Sequence, residues 1–160
     1  MLKKKNNIIL IFILCIISVS IIGAYVIEYI LGYQPCKLCI YERIPYFLSI
    51  FLIIEILFFK RREKITLLVL SLIFFISFSL AFYHLGIEQG FFSESFICES
   101  KNLEETLSKQ QILNQIKENV ISCKDVSFKI MGLSLATINA IFSLILSVIF
   151  AKLFINHGKN

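Results

Sequence analysis

Cys36-Lys37-Leu38-Cys39, with Arg43 four residues beyond, is the segment best equipped for chemistry. Two thiols at C-x-x-C spacing can open and close a small disulfide ring, and the same spacing occurs in zinc knuckles. Pro35 precedes the pair and Pro45 follows it. Pro45 suits the first turn of a helix, because proline has no N–H to leave unsatisfied there. Ile44, just before it, is biased away from helix. The cysteines are therefore expected on a turn feeding a helix N-terminus, where the helix dipole and the cations Lys37 and Arg43 favour a thiolate. A zinc site of the usual kind would add a second C-x-x-C, but Cys98 and Cys123 stand far apart in the chain. Structural disulfides or a metal site without redox chemistry remain the alternative reading. Cys15 lies inside a long apolar run and reads as an inert small side chain.

The elements that hold these residues are read from hydropathy. Of 160 residues, 58% are apolar and 17% charged, against about a quarter charged in soluble domains. The net charge of +5 does not indicate nucleic acid, because the bases cluster beside apolar runs. Four spans are expected within a single 1–160 membrane domain, at about 8–30, 45–59, 65–83 and 130–155. The second rises only about 22 Å against about 30 Å of hydrocarbon, so the segment before it must help complete the crossing. That puts Cys36, Cys39 and Arg43 at the membrane boundary. The first span is too long for a signal-peptide core and reads as retained.

Lys3–Lys5, Lys60–Lys64, Lys152 and Lys159 fall at one end of these spans. The positive-inside rule makes that end, with both termini, cytoplasmic. The loops 31–44 and 84–129 then lie outside and carry four of the five cysteines, Cys36, Cys39, Cys98 and Cys123, where disulfides persist. Between Cys98 and Cys123, Asn102 and Glu105 have capping-box spacing, and Leu103, Leu107, Leu113, Ile116 and Val120 recur at helical steps. The fold class is thus an all-α membrane protein: a four-helix transmembrane bundle with a short amphipathic helix in the second outer loop.

Pro35-Cys36-Lys37-Leu38-Cys39-Ile40-Tyr41-Glu42-Arg43 resembles the signature of the DsbB family of disulfide bond formation proteins. Tyr83-His84-Leu85-Gly86-Ile87-Glu88 and Gly132-Leu133-Ser134-Leu135-Ala136 are similar to segments at the end of that family's third span and the start of its fourth. The resemblance covers nearly the whole chain. It implies a bacterial inner-membrane thiol oxidase with periplasmic cysteine loops. It implies that a DsbA-like thioredoxin-fold partner is oxidised at a Cys98–Cys123 disulfide, with Cys98 bonding the partner. Electrons then pass to Cys36–Cys39, where Cys39 faces a quinone (ubiquinone or menaquinone) and Arg43 holds a quinone oxygen. A disulfide in so long a loop is expected to be open to the partner. Closing its ring costs about 3.5 kcal/mol of chain entropy, against about 2 for the C-x-x-C ring, so ring size alone does not drive electrons toward Cys36–Cys39. The quinone supplies the pull. A vitamin K epoxide reductase-like oxidase is a further alternative, but there the reactive pair comes late in the chain.

His84 and Glu88 share a helix face and either line the quinone site or mark the end of a span. Glu55 reads as an ion-pair partner of Lys60 or Arg61, and Glu28 as interfacial. Gly132, Ala136, Ala140, Ser143 and Ser147 form a small-residue seam for helix packing, with Asn139 bonding across helices beside it. His157 has no expected role.

Overall fold

The computed structural model describes residues 2–59, 62–93, 98, 122–124, 128–130 and 132–157. Helix α1 (Leu2–Tyr25) runs into a π-helical turn, Val26–Ile30. Three helices follow: α2 (Lys37–Tyr41), α3 (Ile44–Phe59) and α4 (Glu63–Glu88). A two-residue hairpin, β1 (Lys129–Ile130) and β2 (Leu133–Ser134), leads into α5 (Leu135–His157). Among the described residues three helices are long and apolar enough to cross a membrane: Asn6–Ile30, Glu63–Glu88 and Leu135–His157. The shorter α3 packs against α1 and α4, so the chain is an all-α membrane bundle. The amphipathic helix expected between Cys98 and Cys123 lies outside the described residues, as do the bases Lys60 and Arg61 expected to pair with Glu55.

One apolar stripe per helix makes the core. Leu10, Ile13, Ile17 and Ile21 of α1 recur at three- and four-residue steps and meet Ile53 and Ile56 of α3. Leu67, Leu70 and Phe74 of α4 meet Leu146, Phe150 and Leu153 of α5. Phe74 stacks on Phe150 at 5.6 Å and meets the Tyr46 ring edge-on at 5.6 Å. Cys15 is on the opposite, exposed face of α1.

α4 and α5 approach most closely, because small residues line their contact. Ala136, Ala140, Ser143 and Ser147 are all buried there. Ser71 donates to the Ser147 carbonyl (3.2 Å) and Ser147 donates to the Ser71 carbonyl (3.1 Å), a reciprocal clasp. Gly132 is not part of this seam. It sits in the hairpin turn with φ of 84°, the left-handed region open to glycine. The fourth helix accordingly begins at Leu135 rather than near residue 130, with the Ser134 hydroxyl accepting the Thr137 N–H as its cap. At the other end His157 Nε2 lies 3.3 Å from Glu63 Oε2, so this histidine does have a partner.

Two further boundaries differ from the sequence reading. Ile44 is helical despite preceding Pro45, because at the very start of α3 the proline lacks only an N–H that would be unpaired anyway. Helix α4, the third expected span, extends past Tyr83 to Glu88 and brings His84 and Glu88 into the bundle. It ends where Gly90, at φ 77°, lets the chain double back: Phe91 N–H bonds to the Gly86 carbonyl (2.8 Å) and Gly90 N–H to that of Ile87 (3.0 Å). These are the paired bonds of a Schellman cap.

The returning chain lays Phe92 on Gly86 and against Tyr83, whose ring is 5.6 Å away. A Cβ at Gly86 would stand 2.1 Å from Phe92 Cδ2. Gly86→Ala is therefore expected to cost about 1–3 kcal/mol through overpacking, read as a lower thermal midpoint in detergent. Most of that loss should vanish in a Phe92→Ala background. An equal loss in both backgrounds would show that Gly86 does not serve this contact.

Candidate active site

Cys36 is the N-cap of α2, and its Sγ accepts the backbone N–H of Cys39 at 3.2 Å. The two cysteines thus occupy the start of their own short helix rather than the turn that feeds α3. Both are free thiols, Cys36 buried and Cys39 half-buried. At the far end of α2, Glu42 is 7% exposed. A carboxylate so placed needs partners, and it has two. His84 Nδ1 of α4 is 2.8 Å from its Oε1, and Asn139 of α5 donates to its Oε2 at 2.7 Å. The Tyr46 hydroxyl donates to Asn139 Oδ1, and Ser143 and Ser77 continue the chain at 3.2 and 3.1 Å. The other imidazole nitrogen, Nε2, faces Cys36 Sγ at 3.5 Å. Cys36, His84 and Glu42 therefore form one file, braced from α5 by Asn139.

The hydrogen bond from Cys39 and the contacts of His84 outweigh burial and hold the Cys36 thiol down to about 5. The bond to Cys36, reinforced by burial and by the Cys36 charge, pushes Cys39 up. The two thiols thus divide one proton unequally, with Cys36 the ionised sulfur. Lys37 and Arg43, the cations expected to do this, do not. The Arg43 guanidinium is taken by Glu28 at 2.5 Å and stands 5.1 Å over the Tyr25 ring. Glu28 reaches it from the π-helical turn, a wide turn of a kind frequent at functional sites.

Cys98 and Cys123 are joined in a disulfide. It is not exposed, contrary to expectation. Both residues are buried with Cys36, Leu38 and Ile87, and Cys39, Leu80 and Tyr83 pack around that cluster. The bridge is apolar, and the added turn of α4 supplies the apolar wall that receives it. Cys36, Cys39, Cys98 and Cys123 thus share one cluster.

Beside this cluster opens a cavity of about 350 Å³. Ile21, Ala24, Ile27, Ile138 and Phe142 give it apolar walls, and Cys36, Cys39, Arg43, His84 and Glu88 line it as well. Glu88 Oε1 is 3.8 Å from His84 Nε2, and its buried Oε2 has no hydrogen-bond partner among the described residues. Glu42, Asn139 and Glu28 were not singled out for this site from the sequence. An acid next to Arg43, at the foot of an apolar run, was the available signal for Glu42.

A helical membrane bundle with a C-x-x-C pair and a second cysteine pair clustered at one end narrows the field, and comparison with known proteins decides it. Residues 5–153 match the family model described as "Disulfide bond formation protein DsbB". The chain belongs to the DsbB family. It is similar to the uncharacterized protein RP370 of Rickettsia prowazekii (strain Madrid E), at 34% identity over 152 residues, spanning 92% of this chain and 88% of that protein. As a DsbB-family member it is a membrane protein of disulfide bond formation, from a family of thiol–disulfide oxidoreductases.

The file of side chains behind Cys36 has a measurable consequence in this DsbB-family site. Alkylation of Cys36 in the reduced protein should keep its rate down to a midpoint near pH 5, where an ordinary thiol has a pKa near 8.5. Below that midpoint Cys36 gains its proton and the rate falls. His84→Ala should move the midpoint upward, because the imidazole no longer supports the thiolate. An unmoved midpoint would remove His84 from this role.

Proposed function

We propose that the protein reoxidises a DsbA-like thioredoxin-fold partner and delivers the electrons to a membrane quinone, ubiquinone or menaquinone. The observation that carries the proposal is the single buried cluster that joins the Cys98–Cys123 disulfide to the Cys36–Cys39 thiols at the edge of the cavity. Two redox pairs packed together can exchange by thiolate attack on a disulfide.

A partner thiolate attacks the Cys98–Cys123 bond, forming a mixed disulfide, with Cys98 the assigned sulfur by family resemblance. The partner's second thiolate then releases it oxidised and leaves two thiols in the loop. These reduce the Cys36–Cys39 disulfide by the same exchange and re-form their own bond. Because Cys98 and Cys123 are buried, the first attack requires the bridge to become accessible. Two electrons and two protons then leave Cys36 and Cys39 for the quinone, which becomes quinol.

The cavity suits such an acceptor. Its volume falls within the range of small-molecule sites, its walls are apolar, and its polar residues include a guanidinium and a carboxylate oxygen that has no partner among the described residues. Arg43 is a permanent cation able to hold an oxygen that gains charge. It would turn from Glu28 toward the ligand or share its donors between them. His84 and Glu88 can carry the protons that leave the thiols. Both cysteines line the cavity. The resemblance assigns Cys39 to the acceptor, while the hydrogen bonds favour Cys36 as the ionised sulfur of the reduced pair.

The chain is read as one DsbB-like domain over residues 1–160, in a bacterial inner membrane with cytoplasmic termini and periplasmic cysteines. The support is the positive-inside rule applied to Lys3–Lys5 and Lys60–Lys64. Quinol formation from purified protein, reduced thioredoxin-fold partner and quinone tests the whole reading. The parent should turn over, Cys39→Ser should not, and Arg43→Ala should lose about 100-fold or more, the usual cost of removing a donor from developing negative charge. No quinol from the parent, or an undiminished rate in Cys39→Ser, would refute it.

A further inference from the structure

We propose that the reduced protein carries a Cys2His site for a zinc-type divalent cation, formed by Cys36, Cys39 and His84, and that filling it locks the reactive pair in its reduced form. The sulfur atoms and one imidazole nitrogen of these residues all lie within 4.8 Å of one another. In a tetrahedral zinc site with bonds of about 2.3 Å to sulfur and about 2.0–2.1 Å to nitrogen, a sulfur and a nitrogen ligand stand about 3.6 Å apart. Cys36 Sγ and His84 Nε2 are 3.5 Å apart.

The surroundings of the imidazole are an independent observation. A metal-binding histidine usually gives its other ring nitrogen to a carboxylate, which fixes the tautomer and turns the free nitrogen toward the ion. Glu42 Oε1 holds Nδ1 of His84 at 2.8 Å, and Asn139 in turn holds Glu42 at 2.7 Å. Nε2 is thereby aimed at the cysteines. The fourth position of a tetrahedron stays open, with Glu88 Oε1 3.8 Å from Nε2. Two sulfurs and one nitrogen select zinc-type ions over magnesium or calcium, which prefer oxygen. Two thiolates also cancel the charge of a divalent ion, as a buried site requires.

No electrons move when the ion binds. Cys36 and Cys39 each form a sulfur–metal bond, the proton they share leaves to solvent, and His84 binds in its neutral form, any proton on Nε2 leaving to solvent as well. The Cys36–Cys39 disulfide has no thiolate to offer, so only the reduced state binds. Linkage then requires the ion to favour reduction. At a free concentration one hundred times its dissociation constant, the reduced-to-oxidised ratio rises about 100-fold, or about 59 mV for a two-electron couple. The site would act as a metal-controlled stop on thiol oxidation.

The test uses the purified full-length protein in detergent, with neither partner nor quinone, so its outcome is independent of the acceptor reading. Co2+ is the spectroscopic probe and Zn2+ the competitor. The reduced parent should bind one Co2+ per chain at this site, with the visible bands of a tetrahedral thiolate complex, and Zn2+ should displace it. The same signal should persist when Cys98 and Cys123 are both changed to serine. It should be lost in Cys39→Ser, and Glu42→Gln should bind about 10–100-fold more weakly. The oxidised parent is the control that needs no refolding of a variant, and it should bind none. Absence of the tetrahedral signal in the reduced parent, or its survival in the oxidised parent or in Cys39→Ser, would overturn the proposal.

Discussion

The cysteine-bearing end of this bundle is arranged around one buried carboxylate. Glu42 lies between α2, α4 and α5, where an unpaired charge would cost several kcal/mol. Its two oxygens take His84 and Asn139, one from each long helix. That requirement fixes how far α4 must continue past the point where its apolar run weakens. It also fixes the rotation of α5, whose Asn139 must face inward while Ala136 and Ala140 meet α4. With the imidazole tethered on one side, its other nitrogen faces Cys36, with Glu88 beside it. Glu42 thus bears on Cys36 through the imidazole that it orients.

The sequence made the helical membrane bundle and the C-x-x-C pair legible, because hydropathy and C-x-x-C spacing are local signals. It also singled out Arg43 and His84, through the segments around them. It did not show what they touch. Glu28 and Arg43 belong to separate elements, and they meet only because α1 ends in a wide turn that hydropathy does not encode. Glu42, His84 and Asn139 come from three distant segments, so their convergence is a property of packing alone. The cap at Gly86–Gly90 was readable in principle, since a glycine follows the last apolar turn there. Taking the span to end at Tyr83 hid it.

Burial of the Cys98–Cys123 bridge changes the picture of the outer loop. A loop with cysteines at both ends suggested a tethered, exposed disulfide. Sulfur is apolar, however, and Leu38 and Ile87 offer an apolar seat beside the first pair. Packing in that seat brings the two pairs together at the cost of access from outside. In the proposed function, exchange between the pairs and attack by a partner would make opposite demands on the bridge.

The π-helical turn has a consequence for how this chain tolerates change in length. Its wide hydrogen bonding, with Leu31 N–H reaching Val26 O at 3.1 Å, accommodates one residue more than an α-helical turn would. Deleting a single residue there would restore ordinary winding and swing Glu28 by about 100° around the helix axis. The carboxylate would leave Arg43 although neither residue had been altered. Among relatives of different length the ion pair should track the gap in the alignment rather than the identity of the acid.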